Sequence, residues 1–136
     1  MTRRTVLRGA VVGGAALPLL AACGPGDNAS AAVPAGTSLG TTSAVPVGGG
    51  TILGADRVVL TQPAKGDFKA FTAICTHQSC VVSTVSDGTI NCGCHGSKFS
   101  IKDGSNVVGP NGRAAGSIPP LAAVKIKVKG EKISKA

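Results

Sequence analysis

Residues 75–97 read Cys75-Thr76-His77-Gln78-Ser79-Cys80-Val81-Val82-Ser83-Thr84-Val85-Ser86-Asp87-Gly88-Thr89-Ile90-Asn91-Cys92-Gly93-Cys94-His95-Gly96-Ser97. Four of the five cysteines and both histidines of the protein lie in this stretch. They form two blocks. Cys75-x-His77 has Cys80 just beyond it, and Cys92-x-x-His95 has Cys94 within it, with fourteen residues, 78–91, between His77 and Cys92. Asp87-Gly88, flanked by the β-prone runs Val81–Ser86 and Thr89–Cys92, is a strong hairpin signal. A hairpin there folds the second block back beside the first. Two thiolates and two imidazoles are then placed to converge from two loops on one metal centre, with one further cysteine in each block.

By softness, two Cys and two His suit zinc or iron. A Cys2His2 zinc finger puts its two Cys in one block and its two His in the other, whereas each block here mixes one Cys with one His. The mixed arrangement resembles the Rieske iron–sulfur proteins, in which two Cys hold one iron of a [2Fe–2S] cluster and two His hold the other. That resemblance implies Cys75 and Cys92 on the inner iron and His77 and His95 on the outer one. It also implies a Cys80–Cys94 disulfide clipping the two loops together, as in the high-potential branch of the family. The ligand spacing is one residue shorter than the usual family range, so the hairpin must be tight. A structural zinc site is the competing reading, and a thioredoxin-type dithiol lacks its Cys-x-x-Cys.

Residues 1–23 read as an export signal and are set apart from the fold. Thr2-Arg3-Arg4-Thr5-Val6-Leu7-Arg8 resembles the twin-arginine consensus, and the uncharged run Gly9–Ala22 that follows is short and Gly-rich for a transmembrane helix. It ends Leu20-Ala21-Ala22-Cys23, which is similar to a bacterial lipobox and implies acylation at Cys23. Twin-arginine export moves folded proteins, which suits a cluster inserted before export, while a disulfide persists only in an oxidising compartment. The expected location is therefore the outer face of the cytoplasmic membrane. Residues 24–44 are Gly, Pro, Ala, Ser and Thr with Asp27 the single charge, which reads as a flexible linker.

The expected domain spans residues 45–136. With three Phe, no Trp and no Tyr among 136 residues, its core must come from Val, Ile, Leu and Ala. Twenty Gly and eight Pro indicate many turns and an all-β fold, and the resemblance specifies a Rieske-type antiparallel β-sandwich with a cluster-binding subdomain of two loops. Arg57–Thr61 and Phe68–Cys75 read as strands joined by a turn from Pro63 to Asp67. Lys98–Ile101 and Val107-Val108 flank a second hairpin signal at Asp103-Gly104. In Leu121–Lys129, Val124, Ile126 and Val128 alternate with Lys125, Lys127 and Lys129, the pattern of a half-buried antiparallel strand; Gly130-Glu131 turns it into a last strand near Ile133. No window carries an amphipathic helix, and there is no internal repeat.

Two further features follow from the resemblance. Gly109-Pro110 lies where Rieske domains carry a Gly-Pro loop covering the cluster. Ser97 and Phe99 occupy potential-tuning positions, one held in high-potential members by a Ser that donates to a bridging sulfide, the other by a Tyr that donates to a ligand thiolate. A phenyl ring cannot make the second bond, so the expected potential is intermediate to high within a family range of roughly −150 to +300 mV.

The expected function is one-electron transfer at the membrane surface, with the donor and acceptor, redox protein or quinol, not encoded in this chain. The alternatives are a Rieske subunit of a quinol–cytochrome c reductase or of an arsenite-oxidase-like complex. Gln78-Ser79 stands where the quinol-oxidising subunits carry Leu-Gly, so the apolar cap of those subunits is partly lost. The ferredoxin partner of a ring-hydroxylating dioxygenase suits the extra cysteine pair poorly. No residue has the setting of a substrate-activating acid, base or nucleophile. With Arg3, Arg4 and Arg8 removed with the leader, eleven Lys and Arg face six acids, a basic head for an anionic leaflet or acidic partners. Without an aromatic platform, nucleic-acid binding is disfavoured.

Overall fold

A computed structural model of the protein describes residues 33–136. Its ten strands are β1 (Ser38–Thr41), β2 (Gly49–Leu53), β3 (Val58–Ala64), β4 (Asp67–Thr72), β5 (Thr84–Ser86), β6 (Thr89–Asn91), β7 (Lys98–Ser100), β8 (Asn106–Val108), β9 (Ile126–Lys129) and β10 (Lys132–Lys135). They pair antiparallel in three sheets, ordered β1-β10-β9, β2-β3-β4 and β5-β6-β7-β8. Among the described residues the helical structure is two single 3-10 turns, Thr42–Ala44 and Pro110–Gly112, and no helix is long and apolar enough to cross a membrane. The antiparallel all-β expectation holds.

The middle sheet buries apolar side chains on both faces because β3 opens with the run Val58-Val59-Leu60 and β4 carries Ala70-Phe71, rather than a strict alternation. Val59 and Phe71 point into a core shared with Cys75, Val82, Ile90, Cys92, Phe99 and Leu121. Their neighbours Val58, Leu60 and Ala70 point the other way, into a second core with Leu39, Val45 and Ile133. Successive strand residues face opposite sides, so the β5–β8 sheet and the β1-β10-β9 sheet lie against opposite faces of β2-β3-β4. The segment before β9 closes the second core, with Thr72 N–H donating to Ala122 O and Val124 N–H to Ala70 O, each at 2.8 Å.

Three expectations are corrected. Residues 24–44 are not linker throughout: Ser38–Thr41 pairs with β10 and Leu39 is 2% exposed, so the domain starts before residue 45. The signal 1–23 and the linker up to residue 32 lie outside the described residues. Pro63 is not in the turn but inside β3, where the register with β4 slips between Thr61 and Ala64. A proline has no N–H for the ladder, and a bulge is where a strand tolerates it; the turn itself falls at Lys65-Gly66, with Gly66 at φ 82°. The strand expected over Leu121–Lys129 is regular only from Ile126, and Val128 remains 43% exposed at the sheet edge.

Candidate metal centre

Both cysteine blocks sit at loops between strands, one after β4 and one between β6 and β7. The two loops close in the same way. Cys75 N–H donates to Cys80 O at 2.7 Å and Ser79 N–H to Cys75 O at 3.0 Å. Likewise Cys92 N–H donates to Ser97 O at 2.8 Å and Gly96 N–H to Cys92 O at 3.1 Å. In each, the fifth residue takes a left-handed conformation, Ser79 at φ 55° and Gly96 at φ 76°. The Asp87-Gly88 hairpin forms as expected, with β5 and β6 paired from Thr84–Asn91 to Ser86–Thr89, and it carries the second loop back to the first.

The loops bring the predicted side chains together. Cys75 and Cys92 are free, buried thiols, 3% and 2% exposed. Burial pushes the Cys75 thiol up, the backbone N–H groups of His77 and Gln78 pull it down, and the Cys92 thiol hydrogen-bonded beside it adds to the rise. The His77 and His95 rings lie 4.7 Å apart between centroids, edge to face at 90°. Cys80 and Cys94 form a disulfide with Cα atoms 6.6 Å apart. The sulfurs of Cys80, Cys92 and Cys94 fall within 4.8 Å of one another, but two of them are already bonded to each other and cannot serve as thiolates. The remaining donors are two thiols and two imidazoles.

Two buried polar atoms find no protein partner: His77 Nδ1 and the Ser97 hydroxyl, on a residue 0% exposed. Such atoms are costly unless satisfied, by about 1–3 kcal/mol each. A metal accepts the lone pair of an imidazole nitrogen, and a sulfide or thiolate accepts a serine proton. Paired buried thiols also gain from a cationic partner that lets them ionise. The donor set therefore fits an iron–sulfur cluster. Phe99, 0% exposed, packs in the core beneath the loops.

The Gly109-Pro110 segment lies against the second cysteine loop. Pro110 is buried, and Asn111, left-handed at φ 55°, donates its N–H to His95 O at 2.7 Å. Gly109 is at an ordinary φ of −75°, yet a Cβ there would meet the Ser117 hydroxyl and come within 3.0 Å of Ala114 O. The requirement is space, not conformation. Asn106, which the sequence reading passed over, fastens this loop. Its amide donates to Lys98 O at 3.1 Å and Val108 O at 2.8 Å and accepts from Gly116 N–H at 3.1 Å, with the residue 6% exposed. Its only sequence signal is a turn-forming amide inside a β-prone run. Thr76 ties the first loop to the far side by donating to Pro119 O at 2.7 Å.

Residues 37–125 match the Rieske [2Fe-2S] domain. The chain belongs to the Rieske family. It is 34% identical over 99 residues to the cytochrome b6-f complex iron-sulfur subunit of Chlorobaculum tepidum, covering 71% of this chain and 50% of that one. It is 42% identical over 62 residues to a Haloferax mediterranei protein named as a respiratory nitrate reductase Rieske subunit, covering 45% and 28%. The chain thus spans half or less of these relatives. Among solved structures, the plasma membrane Rieske protein PetC3 of Synechocystis PCC 6803 superposes with a TM-score of 0.56 at 25% identity, over 74% of this chain and 99% of that one. A naphthalene 1,2-dioxygenase superposes equally well, TM-score 0.56, at 18% identity over 25% of its length, a likeness of fold alone. The cofactor is a [2Fe–2S] cluster and the role electron transfer; the zinc alternative falls.

Proposed function

We propose that the protein is an exported, lipid-anchored Rieske carrier that passes single electrons at the outer face of the cytoplasmic membrane. The electron-transfer part of this reading is supported by the pairing of two buried free thiols with two perpendicular imidazoles, in loops clipped by a disulfide; export and anchoring rest on the Arg3-Arg4 and Leu20–Cys23 sequence patterns. Cys75 and Cys92 would hold the inner iron and His77 and His95 the outer one. When bound, the cluster supplies a one-electron redox change.

The protein's residues set the terms of that change. The apolar core around the thiols and the Pro110 loop over His95 keep water from the site. Ser97 donates its otherwise unsatisfied proton toward the buried sulfurs, which favours the more negative, reduced state. Phe99 donates nothing. The potential therefore lies in the intermediate-to-high part of the family range. That range itself lies above the range of all-thiolate clusters because two neutral imidazoles, here His77 and His95, stand in place of two thiolates. Cys23, acylated, would anchor the chain, with two or more acyl chains sufficing for stable attachment.

The two relatives are named as a respiratory nitrate reductase Rieske subunit and a cytochrome b6-f complex iron-sulfur subunit, which favours a second reading as a subunit of a larger oxidoreductase. Against a quinol pocket stand Gln78 and Ser79, both polar and exposed at the loop tip beside the histidines. Iron and acid-labile sulfide, expected in equal amounts of two per chain, test the cluster. Solubilisation from membranes then separates the readings: a carrier purifies alone, a subunit with stoichiometric partners. Labelling with radioactive palmitate, lost on Cys23→Ala, tests the anchor.

A further inference from the structure

Charge is unevenly spread over this domain. Of the eleven Lys and Arg in residues 33–136, five lie between Lys125 and Lys135, against a single acid, Glu131. The other four acids, Asp56, Asp67, Asp87 and Asp103, all lie elsewhere. In the β1-β10-β9 sheet, Lys132 stands opposite Lys129 and Thr41, and Ser134 opposite Lys127 and Ser38. Residues opposite one another share a face. Ile133 takes the other face and is fully buried in the second core. The outward face therefore presents Lys127, Lys129 and Lys132, all exposed, over a floor of Ser38, Thr41 and Ser134. The one ion pair among the described residues is Lys69–Asp67, elsewhere.

Folding gives no reason for this arrangement. Like charges directly opposite one another destabilise a sheet, and Lys129 faces Lys132. Lysines do protect sheet edges from aggregation, which accounts for Lys127 and Lys129 on edge strand β9 but not for Lys132 on the central strand. The face also lies across the middle sheet from the cluster loops, since Ile133 packs in one core and Cys75 and Cys92 in the other. A redox protein docked here would be on the wrong side of the domain to exchange electrons. Strand β1, which carries part of this face, is the first strand among the described residues, and Cys23 precedes it in the sequence.

We propose that the outward face of the β1-β10-β9 sheet docks on an anionic lipid surface and holds the domain with its two histidines turned away from the leaflet. The proposal rests on the membrane anchoring proposed above and adds an orientation to it. Electron partners then reach the cluster from the aqueous side, and a quinol dissolved in the bilayer does not.

The test uses the cluster-loaded full chain with Cys23→Ala, so that acylation plays no part, and vesicles of phosphatidylcholine with or without an equal amount of phosphatidylglycerol. Lys127→Gln/Lys129→Gln/Lys132→Gln is expected to weaken partitioning to the anionic vesicles roughly 100-fold, at about fivefold per lysine. Arg57→Gln/Lys98→Gln/Arg113→Gln removes the same charge from elsewhere and should weaken it far less. Any leader retained is common to all variants, and circular dichroism confirms that each is folded. Equal loss in both triple variants, or none in the first, overturns the proposal. So does loss of electron transfer to an acidic protein with vesicle binding unchanged, which would make the face a protein site. Acetylation of lysines on bound vesicles reads the orientation: protection at Lys127, Lys129 and Lys132 with Lys98 open supports it, and protection at Lys98 contradicts it. Mass analysis of the unmutated chain reads acylation separately, so an absent lipid fells the anchor without touching the face.

Discussion

The Ser97 hydroxyl is walled in and unpartnered, so its proton has somewhere to go only when sulfur occupies the site. Ser97→Ala should lower the midpoint potential by about 60 mV, the one-electron equivalent of a tenfold change in equilibrium, read by redox titration. Phe99→Tyr should raise it by a similar amount, because the new hydroxyl supplies the donor that the phenyl ring lacks. Asn106 acts at one remove. Its three side-chain hydrogen bonds, at roughly 1 kcal/mol each, tie Lys98, Val108 and Gly116 together beside the loop that caps His95. Asn106→Ala should speed amide exchange at Asn111 on the order of 100-fold, and less at Gly116, whose N–H keeps its bond to the Asn106 backbone carbonyl at 3.0 Å, with Asn106→Asp intermediate because it keeps the side-chain acceptor. Unchanged exchange would mean that the loop is held by something else. The cysteines and histidines were legible in the sequence because their spacing is itself the chemistry. Asn106 was not, because its role depends on a contact ten residues away.

The two metal-binding loops share one hydrogen-bond pattern but not one residue at the left-handed position. Gly96 holds it freely, whereas Ser79 does so at a cost of about 1–2 kcal/mol. Glycine loses more chain entropy on folding, about 0.5–1 kcal/mol, so Ser79→Gly should stabilise the protein by a net 0.5–1 kcal/mol. Urea unfolding of the cluster-loaded protein reads this, and a destabilised variant would contradict it. The turn between β7 and β8 depends on pH. Hydrogen bonds from the Ser105 hydroxyl and N–H hold the Asp103 carboxyl below its usual range. A depressed carboxyl contributes stability above its unfolded value and loses it as pH falls through the folded one. The urea midpoint should exceed that of Asp103→Asn at neutral pH, with the gap closing on acidification below the ordinary carboxylate range. Hairpins announced by Asp-Gly were readable because the turn chemistry is local. Strand β1 was not, since Ser38-Leu39-Gly40-Thr41 buries one side chain in a run of small polar residues and is made a strand by β10.

The domain formed by the described residues is built on one doubly covered sheet, with the cluster loops over one core and the lysine-bearing sheet over the other. Composition foretold a core of Val, Ile, Leu and Ala; these predominate, but Phe71 and Phe99 are buried among them, and Phe99 heads the largest fully buried side chains. The division into two cores was not legible, because the alternation of Val58, Val59 and Leu60 between them takes both partner sheets to reveal. All of this serves one claim, that two thiolates and two imidazoles share one pair of irons. Pulsed electron paramagnetic resonance of the dithionite-reduced protein, grown with nitrogen-15 histidine, tests it most directly. The account predicts a low-average-g signal coupled to two histidine nitrogens, one of them lost in His77→Cys and the other in His95→Cys. A signal with no directly coupled histidine nitrogen, or no signal in protein that contains bound metal, would contradict it.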